Sequence, residues 1–201
     1  MTSTVDETAA ALRAGELAIV PMDTVYGLVA SADSEAPARK LAEAKGRDEA
    51  QPIALVARDL ELFVERIPEL DARARAIAGA LLPGPYTLVF ANPAGRYRWL
   101  AGARPETIGI RIPELVEPAR SLLENLGAFA ATSANLTGGA DPRRLEEVPE
   151  ELRATAAALL DGGALPGTPS TVLDFSGAEP RILREGAASA AEALRAVASV
   201  L

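Results

Sequence analysis

The sequence contains no cysteine and no histidine. Without thiols there is no disulfide framework, thiolate nucleophile or zinc–thiolate site, and without imidazole there is no histidine base or ligand. Ser-His-Asp catalysis and the common zinc hydrolase arrangements are thereby excluded. Aromatics are scarce, with one Trp, three Tyr and four Phe. The core must then be aliphatic and alanine-rich, and a base-stacking surface for single strands is not expected. Positive charge is also short: 20 Lys and Arg against 28 Asp and Glu give a net −8. Basic surfaces drive non-specific binding to nucleic acid and adhesion to anionic membranes, so neither can rest on the whole-chain charge. Any phosphate must be met by a local basic site, and strong unaided holding of tRNA is not expected. No apolar run approaches the ~18 residues of a membrane span, and Thr2 to Glu7 is polar and acidic rather than signal-like. The expectation is a soluble, cytoplasmic protein with no membrane partner.

What is present is a chain of 201 residues, 49% hydrophobic. That length suits one domain, expected to span residues 1–201, and buries roughly 70% of the unfolded surface. Thr4 and Glu7 have capping-box spacing and predict a first helix over Val5–Ala14. Short apolar runs at Leu17–Pro21, Gly27–Ala32, Ile53–Ala57, Tyr86–Ala91 and Ala128–Thr132 read as strands. Thr107–Ile112 alternates, with Ile108, Ile110 and Ile112 on one face and Thr107, Gly109 and Arg111 on the other. Helices are predicted at Pro37–Ala44, after a cap at Asp59, at Glu69–Leu82 before the Pro83-Gly84-Pro85 turn, and around Pro118–Asn125. Asn92–Pro105 reads as a polar loop. The last third predicts a helix near Pro149–Ala157, strands around Leu159–Asp161, Thr171–Phe175 and Arg181–Leu183, and a closing helix over Ala188–Val200. The alternation, without linker or fixed repeat, predicts an α/β single domain with a twisted mixed sheet flanked by helices.

Chemistry concentrates in loops at strand ends, where α/β folds place their sites. Lys45-Gly46-Arg47 puts two cations at a helix C-terminus, where the dipole favours them. They suit a solvated helix end, or a polyphosphate held by a point charge and a bidentate fork. Ser133 and Asn135 follow a strand and serve either as a self-bonded turn or as ligand contacts. Arg111, between two isoleucines of a central-looking strand, is costly unless salt-bridged or ligand-bound. Thr24 and Tyr26 leave the first strand as a turn hydroxyl and a half-buried phenol or as ligand contacts. Ser170 and Thr171 are either a strand start or a pocket wall.

In order along the chain, Pro21-Met22-Asp23-Thr24-Val25-Tyr26-Gly27-Leu28, Lys45-Gly46-Arg47, Ile108-Gly109-Ile110-Arg111-Ile112-Pro113, Thr132-Ser133-Ala134-Asn135 and Ser170-Thr171-Val172 resemble the YrdC-like family of L-threonylcarbamoyladenylate synthases. The resemblance spans roughly Pro21 to Gly186. It implies an ATP-using nucleotidyltransferase that forms threonylcarbamoyl-AMP and pyrophosphate from L-threonine, bicarbonate or CO2, and ATP, usually with Mg²⁺. The product feeds the threonylcarbamoyladenosine modification of tRNA, which implies partner proteins of tRNA modification. Carried over residue by residue, Lys45, Arg47, Ser133 and Asn135 form the catalytic tetrad. Together with Gln51, Ser170, Thr171 and Arg184 they contact ATP, while Thr24, Tyr26, Arg111 and Thr132 contact threonine. No metal-ligating residues are implied.

Four positions depart from that pattern. Met22 stands where a threonine is common, Val56 where the pattern has a histidine, Asp48 beside Arg47 where proline is usual, and Glu185 after Arg184 where proline is common. Met22 and Val56 are expected to make the threonine side of the pocket more apolar. Two rivals remain at the level of sequence: a non-synthase paralogue of the same fold that binds nucleotide or RNA, and a module of a larger hydrogenase-maturation protein. The chain resembles the short branch, without an added C-terminal domain.

Overall fold

The computed structural model describes residues 1–46 and 51–201. Among these residues the chain forms seven α-helices: α1 (Val5–Arg13), α2 (Glu35–Ala44), α3 (Leu60–Arg66), α4 (Ala72–Leu81), α5 (Ala119–Leu126), α6 (Glu150–Thr155) and α7 (Ala190–Ala198). Nine strands accompany them: β1 (Ala18–Pro21), β2 (Tyr26–Ala30), β3 (Ala54–Ala57), β4 (Tyr86–Ala91), β5 (Thr107–Arg111), β6 (Ala128–Ser133), β7 (Ala158–Leu159), β8 (Thr171–Asp174) and β9 (Arg181–Arg184). They make one mixed sheet in the order β7-β1-β2-β6-β3-β5-β4-β8-β9.

Local signals set the helix starts. The Thr4–Glu7 capping box forms, with the Thr4 hydroxyl accepting from the Glu7 amide and the Glu7 carboxylate accepting from the Thr4 amide. Asp59 caps α3 by accepting from the Leu62 amide at 2.7 Å. The sequence places the helix before Pro83 from Glu69, but α4 starts at Ala72, because the Asp71 carboxylate accepts from the Ala74 amide and fixes the cap there. Similarly, α6 is shorter than predicted. The strand expected at Leu159–Asp161 occupies Ala158–Leu159, paired in parallel with β1, while Asp161 is released to a side-chain role. The Asn92–Pro105 loop contains a single 3-10 turn at Arg98–Leu100.

The two faces of the sheet are covered unequally. One face packs Leu41 of α2, Phe63 of α3, Ile77 of α4, Leu152 of α6 and Ala193 of α7 against Leu28, Leu55, Leu88 and Ile110 in a continuous aliphatic core. The other carries a smaller cluster in which Leu12 of α1 and Leu122 of α5 meet Val20, Val29, Val56 and Phe129. This second cover reaches only part of the face. Over β3, β5, β4 and β8 a cavity opens, lined from the sheet by Ala54, Thr107, Gly109, Arg111, Thr87, Val89 and Val172.

Candidate active site

The cavity has a volume of about 610 Å³, and its floor is the face of β5 that holds Thr107, Gly109 and Arg111. The strict alternation of that strand is what turns all three residues to the same side. Register then extends the row. Gly109 lies opposite Val89 of β4, and Val89 opposite Asp174 of β8, while Val172 pairs with Arg184 of β9. Thr24, Gln51, Arg111, Thr132, Ser133, Ser170 and Arg184 all line the cavity, so the structure gathers seven of the sequence-predicted residues around one space.

Two further predicted residues stand just behind this wall. Gly46 follows α2 with a left-handed φ of 57°, a conformation that costs glycine least, and its amide closes the helix end onto Glu43. Lys45 is thereby buried at 3% exposure, and its Nζ donates to the Ser133 carbonyl at 2.5 Å, to Asn135 Oδ1 at 3.0 Å and to Thr132 Oγ1 at 3.4 Å. The Ser133 hydroxyl donates to the same Asn135 Oδ1 at 2.6 Å. Lys45, Ser133 and Asn135 thus form one bonded cluster at the end of β6. Arg47 and Asp48 lie outside the described residues.

Arg111 resolves its burial through Asp23, with Nη2 donating to Oδ1 at 2.5 Å and side-chain exposures of 11% and 6%. Burial pushes the Asp23 carboxyl above its ordinary pKa, against the pull of the Arg111 charge. Three buried polar atoms in this corner have no hydrogen-bond partner: Asp23 Oδ2, Thr24 Oγ1 and Arg111 Nε. Unsatisfied buried groups are costly, and three together mark a place where a polar ligand compensates. At the other side, Arg184 Nε and Nη2 donate to the Ser170 carbonyl at 3.0 and 2.8 Å, and Arg184 has no ion pair among the described residues. Burial lowers its pKa and the nearby Arg111 charge adds to that, with Asp141 opposing. The Ser170 hydroxyl meets Thr87 Oγ1 at 2.9 Å.

Other predicted residues are turned elsewhere. Tyr26 belongs to β2 rather than to the loop and does not line the cavity. Its phenol donates to Asp161 Oδ1 at 2.8 Å and to the Gly163 carbonyl at 3.0 Å, and accepts from the Gly162 amide at 3.0 Å. Burial, the largest cause, pushes its pKa up to about 12. The Thr171 hydroxyl is wholly buried, donating to the Ala188 carbonyl and accepting from the Gly186 and Ala188 amides. Val56 shares the cavity face with Ala54, but lies one pair further along β3, opposite Phe129 and Arg111. There it is packed into the second core with Met22 and Leu115 instead of lining the pocket. Met22 does line the cavity, at 4% exposure. Glu185 accepts from the Ala190 amide at 2.9 Å and helps start α7. Thr107, Thr87, Arg104 and Arg181 line the cavity without having been singled out. The alternation of β5 already pointed to Thr107, whereas the two arginines carry no local signal.

The family model for Sua5, YciO and YrdC, described as "Telomere recombination", matches residues 10–186. The chain belongs to the Sua5/YciO/YrdC family. Among its relatives, a putative threonylcarbamoyl-AMP synthase of Mycobacterium tuberculosis is 33% identical over 180 residues, covering 89% of this chain and 82% of that protein. The human threonylcarbamoyl-AMP synthase is 35% identical over 162 residues, which are 78% of this chain and 54% of the human one. Among solved family structures, P. abyssi Sua5 complexed with L-threonine superposes with a TM-score of 0.86 at 30% identity, covering 98% of this chain and 58% of that one. The chain therefore spans a little over half the length of the human and archaeal relatives. Escherichia coli YciO shares the fold at a TM-score of 0.80 and 24% identity. No helix among the described residues is long and apolar enough to cross a membrane.

Proposed function

We propose that this chain joins L-threonine, bicarbonate or CO2, and ATP into threonylcarbamoyl-AMP and pyrophosphate, for threonylcarbamoyladenosine modification of tRNA. One observation carries the reading. In a chain of net charge −8, Arg111 on β5 and Arg184 on β9 line one cavity, and Lys45 after α2 stands directly behind its wall, bonded to the carbonyl of the lining residue Ser133. Relatives that bear the synthase name and a family structure holding L-threonine support it.

In this reading the Arg111 guanidinium receives the threonine carboxylate, a bidentate task for which its planar fork is suited. The unpartnered Thr24 hydroxyl and the Thr132 hydroxyl orient the same substrate. The threonine amine adds to CO2 and releases a proton, giving a carbamate. A carbamate oxygen then attacks the α-phosphorus of ATP as the bond from that phosphorus to the bridging oxygen breaks, and pyrophosphate leaves. No protein nucleophile is needed, which suits a chain without cysteine or histidine. Catalysis consists of positioning and charge stabilisation. Lys45, Arg47, Ser133 and Asn135 stabilise the departing pyrophosphate, while Arg184, Ser170 and Gln51 hold the nucleotide. Among the described residues no group of three or more acidic side chains is placed to hold a metal ion. Mg²⁺ would enter with the ATP phosphates and would neutralise their developing charge. The reaction takes place in the cytoplasm, and the product passes to partner proteins of tRNA modification.

The direct test is pyrophosphate release by the purified protein, with threonine and bicarbonate present or omitted. Release that requires both supports the assignment. Release indifferent to threonine overturns it, and absence of release with any amino acid leaves a nucleotide-binding paralogue.

A further inference from the structure

Residues 160–170 join β7 to β8 without forming helix or strand, crossing from one edge of the sheet to the strand next to the other edge. Their hydrogen bonds make them a strap along the site. The Leu160 amide donates to the Ile19 carbonyl at 2.9 Å, Asp161, Gly162 and Gly163 enclose the Tyr26 phenol, and the Leu165 amide donates to the Arg143 carbonyl at 2.8 Å. The Gly167 amide then donates to the Thr24 carbonyl at 2.8 Å, which is the hydrogen bond that the Thr24 main chain makes among the described residues. Beyond it, Pro169 and Ser170 line the cavity.

Gly167 has a left-handed φ of 90°, which strains any residue with a Cβ. A Cβ there would also overlap Cγ, Cδ and Nε of Arg143, whose side chain lies on the glycine and is held by its Nε donating to the Leu165 carbonyl at 3.2 Å. Glycine thus lets the strap pass close enough for its amide to reach Thr24. The residue so held lines the cavity at 1% exposure and carries a hydroxyl without a partner, in the same corner as the unpartnered Arg111 Nε.

We propose that Gly167 is a positioning residue for the amino-acid substrate: by holding the Thr24 carbonyl it fixes the turn that presents the Thr24 hydroxyl to L-threonine. The inference rests on the synthase reading for the identity of that ligand. The nucleotide side is pinned independently, because the Pro169 carbonyl accepts from the Ala187 amide at 2.8 Å and the Ser170 carbonyl from Arg184 Nη2 at 2.8 Å. Disturbing Gly167 therefore weakens the hold on threonine and leaves the hold on ATP nearly as it was.

The test is calorimetric titration with L-threonine, and separately with ATP, in bicarbonate-free buffer. Gly167→Ala should weaken L-threonine about tenfold, the worth of one hydrogen bond to a charged group, and ATP less than about twofold. Thr24→Val should lose as much threonine affinity on its own, and the two substitutions together should lose no more than either, since both act through one hydroxyl. Circular dichroism and the melting temperature check that the fold is kept. Where Gly167→Ala does not fold, Arg143→Ala, which removes an exposed side chain and frees the strap at Leu165, is read in its place with the same expectations. Wild type that binds ATP but not L-threonine overturns the synthase reading and this assignment with it. When wild type binds threonine, an unchanged threonine affinity in the variant, equal losses for ATP and threonine, or losses that add to those of Thr24→Val overturn the positioning role alone.

Discussion

Arg111 Nη2 donates to Asp23 Oδ1 at 2.5 Å, joining the loop between β1 and β2 to the end of β5, three positions from β2 in the sheet. The pair fixes the guanidinium that faces the cavity while leaving Arg111 Nε and Asp23 Oδ2 without partners. Removing one member of a buried pair is far more costly than the pair is stabilising, because the remaining charge stays buried alone. Asp23→Asn should therefore lower the unfolding free energy by about 3 kcal/mol. It should also raise the KM for threonine more than that for ATP. Urea denaturation and a two-substrate kinetic analysis read the two effects, and unchanged stability contradicts the assignment of this pair.

The Tyr26 phenol is a structural tie to Asp161 and the glycines beyond it. Its pKa of about 12 lies above the ordinary tyrosine value of 10. The raised value means that folding favours the neutral phenol, so this contribution is complete below pH 10 and is lost as pH rises towards about 12. Ultraviolet titration should show one of the three tyrosines ionising only near that upper pH. Tyr26→Phe should destabilise the protein by about 1–3 kcal/mol, the cost of leaving buried partners unsatisfied. A normal titration with no loss of stability would place the phenol in solvent.

Thr171 and Ser170 are neighbours with opposite orientations, and their substitution should separate stability from binding. Thr171→Val strips the Gly186 and Ala188 amides of their acceptor and should cost about 1–3 kcal/mol. Ser170→Ala removes a hydroxyl from the cavity wall and should raise the KM for ATP several-fold with less change in stability. Equal effects on both measurements for both variants would contradict the orientations described.

How much of this was legible in the sequence depended on the range of the interactions. The Thr4–Glu7 box and the Asp59 cap are local, and both formed as spacing predicts. The alternation of Thr107, Gly109 and Arg111 is also local, and it became the cavity floor. Tyr26 was expected on a loop but starts β2, and the partner that orients its phenol, Asp161, lies 135 residues away. Val56 has the spacing of a pocket residue, but Phe129 and Met22 close over it from other elements. Arg104 and Arg181 carried no signal because the carboxylate that unites them, Asp174, is brought to them only by the β4–β8–β9 pairing.

Asp174 should also govern part of the acid stability. Burial alone would raise its pKa, but hydrogen bonds from Ser176, Arg104 and Arg181 outweigh that and hold it far below the usual carboxylate range. A depressed pKa contributes stability that is fully present above the unfolded value of about 3.9 and lost as pH falls towards the folded value. Asp174→Asn should thus be less stable than wild type by a constant margin at neutral pH, with the gap closing below about pH 4. Thermal melts across that range check it. A margin independent of pH down to pH 2 would show that the carboxylate charge is not what stabilises the cluster.

The most direct test of the central claim follows the carbon. Purified protein is incubated with ATP, L-threonine and isotopically labelled bicarbonate, and the nucleotide products are separated. The account predicts label in an adenylate that forms only when threonine is present, with an equal amount of pyrophosphate, and that is lost in Arg111→Ala. Pyrophosphate released without any label entering a nucleotide would contradict it.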